Sequence, residues 1–132
     1  MKTLKITSGR YMYLRVRVVS HLFWKALPGN PVIGLVDAKN EGETVTLTCT
    51  SFGGNPLPTV RWYKNNQLVD PGSSPNGNGD GVYTSGSTTA TYNNYTFQVS
   101  RSDNAVSYIC KVNSSLLSNE LSRSLTIEVY GE

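Results

Sequence analysis

The stretch "VSYIC", residues 106–110, places a tyrosine two positions before one of only two cysteines in the chain. Side chains alternate along a β-strand, so a strand through this stretch sends Tyr108, Cys110 and Val112 to one side and Ile109 and Lys111 to the other. A tyrosine so placed serves neither metal binding nor thiol redox chemistry. Its role must come from sharing a buried strand face with the cysteine.

Working outward, the same alternation recurs. In "ETVTLTCT", residues 43–50, Val45, Leu47 and Cys49 share one face and Thr44, Thr46, Thr48 and Thr50 the other, the pattern of a strand with one wet side. Similar runs occupy residues 59–64 ("TVRWYK"), 94–100 ("NYTFQVS"), 106–112 ("VSYICKV") and 124–130 ("SLTIEVY"). Between them stand the turn-forming clusters "NEGE", "GGNPLP", "DPGSSPNGNGDG", "RSDN" and "NSSLLSNE". No stretch has helical periodicity, and several short strands with regular turn signals predict an all-β sandwich or barrel. With Cys49 and Cys110 both inward, the two can meet between sheets, and Trp62 supplies a large apolar body to pack there.

Cysteine, tryptophan and then Tyr-x-Cys, with the lead-in "EGETVTLTC" and the strand "WYKNNQLV", resembles the immunoglobulin domain family over roughly residues 31–130. The resemblance implies an immunoglobulin-like β-sandwich of two antiparallel sheets with one inter-sheet disulfide, Cys49 to Cys110. Trp62 and Tyr108 are then its core signature, and the Tyr108 hydroxyl is expected to bond to backbone just upstream and latch the turn "RSDNA". One departure stands out: in the commonest family pattern, Asp-x-Gly/Ala-x-Tyr-x-Cys, the acid and the small residue lie closer to the tyrosine than Asp103 and Ala105 do here, each by one residue. The variant "DNAVSYICKV" with the closing "LTIEVYG" looks most like middle or membrane-proximal domains of nectin-like and nephrin-like adhesion receptors. Variable antigen-receptor domains match less well, because "LTIEVYG" has no Gly-x-Gly bulge. The length between the cysteines leaves room for a further short strand, "QLVD".

A chain of 132 residues with 38% hydrophobic residues suits one core rather than two domains. Its net charge of +3 is segregated: six bases and no acid precede residue 31, whereas from there on six bases face nine acids, a formal −3. Nucleic-acid binding by the folded part is therefore not expected. Residues 1–30 read as a basic leader or a fragment of a preceding segment. A signal peptide needs about 7–15 uninterrupted apolar residues, and Arg15 and Arg17 break "YMYLRVRVVSHLFW" in its middle. No window reaches the roughly 20 apolar residues of a membrane span. Leu14, Val16 and Val18 alternate with the arginines as in a half-buried strand, and "SGRYMYLRVRVV" resembles the Tyr-x-Cys strand of a preceding immunoglobulin domain with Tyr13 in the cysteine's place. A membrane attachment would come through a segment absent from this chain.

No catalytic set assembles from these residues. The sole histidine, His21, lies in the leader, and a disulfide leaves no thiol nucleophile. "NGNGDG", residues 76–81, imitates the start of a calcium loop through Asn76, Asn78, Asp80 and Gly81, but the position that requires glutamate is Ser87, so a plain polar loop is the better reading. No cofactor, metal or small-molecule substrate is expected. The family resemblance instead implies an extracellular or cell-surface role, outside the reducing cytosol where such a disulfide persists. Two sequons agree with it, Asn94 in "NYT" and Asn113 in "NSS", both out of phase with the inward residues around them. What remains is protein binding, homophilic or heterophilic. The outer face of the sheet carrying Trp62 is expected to display Arg61, Tyr63, Ile109, Lys111, Thr126 and Glu128, a mixture suited to recognition. The opposite sheet, with Thr44, Thr46, Thr48 and Asn94 outward, is expected to be silent. Alternatives are a secreted immune-type recognition protein and a structural spacer of a larger receptor.

Overall fold

The computed structural model describes residues 24–72 and 79–131. The readings of residues 1–23, and of Asn76 and Asn78, lie outside them. The strands are β1 (Val32–Ile33), β2 (Lys39–Asn40), β3 (Thr44–Phe52), β4 (Thr59–Lys64), β5 (Gln67–Asp70), β6 (Asp80–Ser85), β7 (Thr88–Gln98), β8 (Ser107–Asn113), β9 (Leu121–Thr126) and β10 (Val129–Tyr130), with a 3-10 turn at Arg101–Asp103. One antiparallel sheet runs β1-β3-β7-β6 and the other β5-β4-β8-β9. A short parallel pair joins β10 to β2, Val129 opposite Lys39 and Tyr130 opposite Asn40. The N-terminal chain thus leaves one sheet at β1 and docks beside the end of the other at β2.

Alternation builds the sandwich. In β3 the threonines face outward, where β-branched side chains suit a pleated surface, while Val45, Leu47 and Cys49 are buried. Val60, Trp62, Tyr108, Cys110 and Val112 close over them from β4 and β8. Cys49 and Cys110 are bonded across the two sheets, 61 residues apart in sequence. Burying each aliphatic side chain here contributes about 1.5–3 kcal/mol. Trp62 is fully buried, and its indole N–H donates to the Asn93 carbonyl oxygen at 2.9 Å.

Three features depart from the alternation read in sequence. Strand β6 begins inside the cluster read as a turn: Asp80 and Gly81 pair with Asn93 and Tyr92 of β7. It is an edge strand with little burial, so it has no apolar period to betray it, and its ladder with β7 is what makes it extended. The run 124–130 is two strands, because β9 ends at Thr126 and the chain then crosses to pair with β2. Asn93 is the third. It is fully buried on the inward face of β7, and its amide donates to the carbonyls of Val60 at 3.1 Å and Asp70 at 3.4 Å, tying β4 and β5 to the opposite sheet. Asp70, also buried, accepts the Gly72 N–H at 3.0 Å. Gly72 has φ 73°, and a β-carbon there would run into the Val60 carbonyl oxygen, so glycine alone lets the chain leave β5 so close over β4.

Candidate recognition surface

Tyr108 anchors one edge of the surface from behind. Its ring stacks on Phe97 with centroids 5.3 Å apart, and its hydroxyl donates to Asp103 Oδ1 at 2.9 Å. The expected backbone partner is thus replaced by a carboxylate five residues upstream. The extra residue in this turn is accommodated with Ala105 at φ 62°, in the left-handed region, and with the Ala105 N–H donating to the Ile127 carbonyl oxygen. Asp103 is nearly buried yet well supplied with donors. Lys64 Nζ reaches Oδ1 at 2.7 Å, and the Ser100 N–H reaches Oδ2 at 2.8 Å. Burial pushes the Asp103 carboxyl up, but the bonds from Lys64, Ser100 and Tyr108 outweigh it and hold the group below the usual carboxylate value. Burial, then the bond to Asp103, pushes the Tyr108 phenol far above its ordinary range.

The outward side of the β5-β4-β8-β9 sheet follows from the ladder registers. Tyr63 lies opposite Ile109, Arg61 opposite Lys111, and Thr59 opposite Asn113. On β9, Ser124 sits beside Ile109, Ser122 beside Lys111, and Thr126 beside Ser107. Arg61, Tyr63, Ile109, Lys111 and Thr126 therefore share one face. Glu128 does not join the ladder: it lies past the end of β9, and its carbonyl oxygen accepts the Lys39 N–H at 2.9 Å.

Arg61 and Lys111 are like charges placed directly opposite each other, an arrangement that costs energy unless the side chains diverge. They do diverge. Arg61 Nε donates to the Pro71 carbonyl oxygen at 3.3 Å, while Lys111 Nζ lies 4.4 Å above the centre of the Tyr63 ring and 3.9 Å from Glu120 Oε1. Tyr63, under the Lys111 ammonium, and Ile109, both expected to stand fully displayed, are half-buried. A residue the sequence reading missed completes the row: Leu68 on β5 pairs with Tyr63 and is 49% exposed. Leu68, Tyr63, Ile109 and Ser124 thus line up across four strands. The available signal was "QLVD" itself, since any strand pairing back on β4 through the turn at Asn65 and Asn66 puts Leu68 beside Tyr63.

The opposite sheet is not uniformly polar. Thr44, Thr46 and Thr48 do face outward, opposite Gln98, Thr96 and Asn94, and the Thr46 and Thr96 hydroxyls are bonded at 2.9 Å. Its other end carries Val32, Phe52 and Tyr83, each about half exposed, and the Tyr83 ring meets Tyr92 at 5.8 Å. The sequons divide between the sheets. Asn94 is half-buried in the middle of β7, and Asn113 is exposed at the end of β8, on the same face as Ile109 and Lys111. Among the described residues no group of three or more His, Cys, Asp or Glu side chains could hold a metal ion, and no helix is long and apolar enough to cross a membrane.

Two facing sheets, a bond between Cys49 and Cys110, and Trp62 packed against it define an immunoglobulin-type sandwich. The chain belongs to the immunoglobulin domain family: the family model described as "Immunoglobulin domain" matches residues 31–114. It is similar to human cell adhesion molecule 3, 34% identical over 78% of this chain and 25% of that protein. A shorter match joins it to cell adhesion molecule 2 of Xenopus tropicalis, 39% identical over 38% of this chain and 12% of that protein. Among solved structures, the mouse nectin-like molecule 4 ectodomain (Ig1–Ig3) shares the fold with a TM-score of 0.65 at 21% identity, over 79% of this chain and 34% of that one. The chain therefore spans at most about a quarter of the length of these cell adhesion molecules.

Proposed function

We propose that this chain is a non-enzymatic, extracellular recognition domain of a cell-surface adhesion protein, and that it engages a partner protein through the outer face of the β5-β4-β8-β9 sheet. The observation that carries the reading is the contiguous row Leu68–Tyr63–Ile109, an apolar strip three strands wide flanked by Arg61 and Lys111. Such a strip can bury area at the centre of an interface while the charges at its rim set orientation and association rate. The similarity to cell adhesion molecules supports the same role, and the inter-sheet disulfide supports an oxidising compartment. Lys111, by covering Tyr63, favours a second reading, a spacer whose outer face meets no partner.

Bead clustering separates the two. Leu68→Ser, Tyr63→Ala and Ile109→Ser, each first shown to be folded, are expected to abolish clustering that the unmutated domain supports, whereas Thr46→Ala on the opposite sheet leaves it unchanged. Beads of one kind that cluster among themselves identify homophilic binding. Equal clustering by all four variants, or none by the unmutated domain, makes the spacer the better description.

A further inference from the structure

Strand register puts one of the two sequons on the recognition face itself. Asn113, Lys111 and Ile109 alternate outward along β8, so Asn113 stands one row beyond the Arg61–Lys111 pair and two rows, about 13 Å at strand spacing, beyond Ile109. Its Oδ1 accepts the Ser114 N–H at 2.8 Å, and Asn113 itself lines, with Pro56, Leu57, Thr59 and Arg61, a shallow depression of about 350 Å³. One wall, Leu57, is half exposed and apolar, while Thr59 and Arg61 provide polar groups. An N-acetylhexosamine has the same division, with an apolar ring face and a polar rim.

We propose that Asn113 carries an N-linked glycan whose first sugar occupies this depression. The glycan then shields the Thr59–Arg61–Lys111 end of the face and confines partner contact to the Leu68–Tyr63–Ile109 end. This second part rests on the recognition reading above. The donor is a lipid-linked oligosaccharide diphosphate. A bond forms between Asn113 Nδ2 and the anomeric carbon, the anomeric C–O bond to the diphosphate breaks, the diphosphate leaves with the bonding pair, and the amide gives up one proton. The glycan would act as a size limit: a bulky hydrated chain beside Lys111 excludes partners that approach over that end, and its removal widens the accessible face.

The test uses the full chain secreted from eukaryotic cells behind an added, cleavable signal peptide. Ser115→Ala removes the sequon while keeping Asn113, and Asn113→Gln removes it by an independent uncharged substitution, so the two variants must agree. Intact mass should fall by one glycan in Ser115→Ala. Acylation of Lys111 by a bulky active ester should rise about threefold when the sugar is absent, with Lys39 as the unchanged internal reference, and clustering should accelerate by a similar factor. An unmodified Asn113, or equal Lys111 acylation with and without the glycan, overturns the proposal. Protection of Lys111 with unchanged clustering overturns the size limit. Protection of Lys111 in a protein that never clusters keeps the seated glycan and discards the recognition reading instead.

Discussion

The inward face of β8 carries Tyr108, Cys110 and Val112, each at most 1% exposed, whereas its outward face carries Ser107, Ile109, Lys111 and Asn113, none of them buried. Inward, Cys110 is bonded to Cys49, Tyr108 is held by Phe97 and Asp103, and Val112 belongs to the core cluster. Outward, the contacts are looser, and Lys111 divides itself between a ring at 4.4 Å and a carboxylate at 3.9 Å. The difference shows that one strand can specify stability and recognition separately, because its two-residue period keeps the two sets of side chains apart.

Breaking the inward side at its strongest point should have the largest effect. Reduction, or Cys49→Ala with Cys110→Ala, reopens a loop of 61 residues and is expected to cost about 4 kcal/mol, read as a fall in the denaturation midpoint. An unchanged midpoint would mean that the bond contributes nothing to stability. Asp103→Ala comes next. It strands the Tyr108 hydroxyl, the Ser100 N–H and the Lys64 ammonium, and about 2 kcal/mol is expected, less than for a fully buried pair because Lys64 is partly solvated.

The same carboxylate makes stability depend on acid. With its folded value held below the unfolded one of about 3.9, Asp103 contributes fully above about pH 5. As pH falls, the unfolded chain takes up the proton first, so the contribution shrinks and is lost once pH passes below the folded value. Chemical denaturation between pH 7 and pH 3 should show this decline, and Asp103→Asn should flatten it. Tyr108→Phe keeps the ring stacking and deletes one bond, for an expected loss of about 1 kcal/mol. A loss no greater than that of a surface substitution would show that the ring alone secures the turn.

The smallest effect on stability sharpens the comparison from the other side. Ile109→Ser, on the outward face, should shift the denaturation midpoint by no more than about 0.5–1 kcal/mol, even though its effect on clustering is expected to be complete. A large destabilisation would mean that the half-buried Ile109 belongs to the core after all.

From the sequence by itself came the alternating strands, the inward set Cys49, Trp62, Tyr108 and Cys110, and the family those residues resemble. These were legible because burial imposes a period on neighbours in the chain, and no knowledge of distant residues is needed to see it. Tertiary structure decided the rest, and in each case the deciding contact joins residues far apart or out of period. Strand β6 is extended because β7 pairs with it, and Asn93 is buried because carbonyls from two other strands accept its protons. Asp103 partners Tyr108 because a left-handed Ala105 accommodates the extra residue of the turn and Lys64 crosses from β4 to neutralise the carboxylate. Leu68 and Thr59 stand in rows with Ile109 and Asn113 because of the pairing of β5, β4 and β8, whose register hydrogen bonds between strands establish.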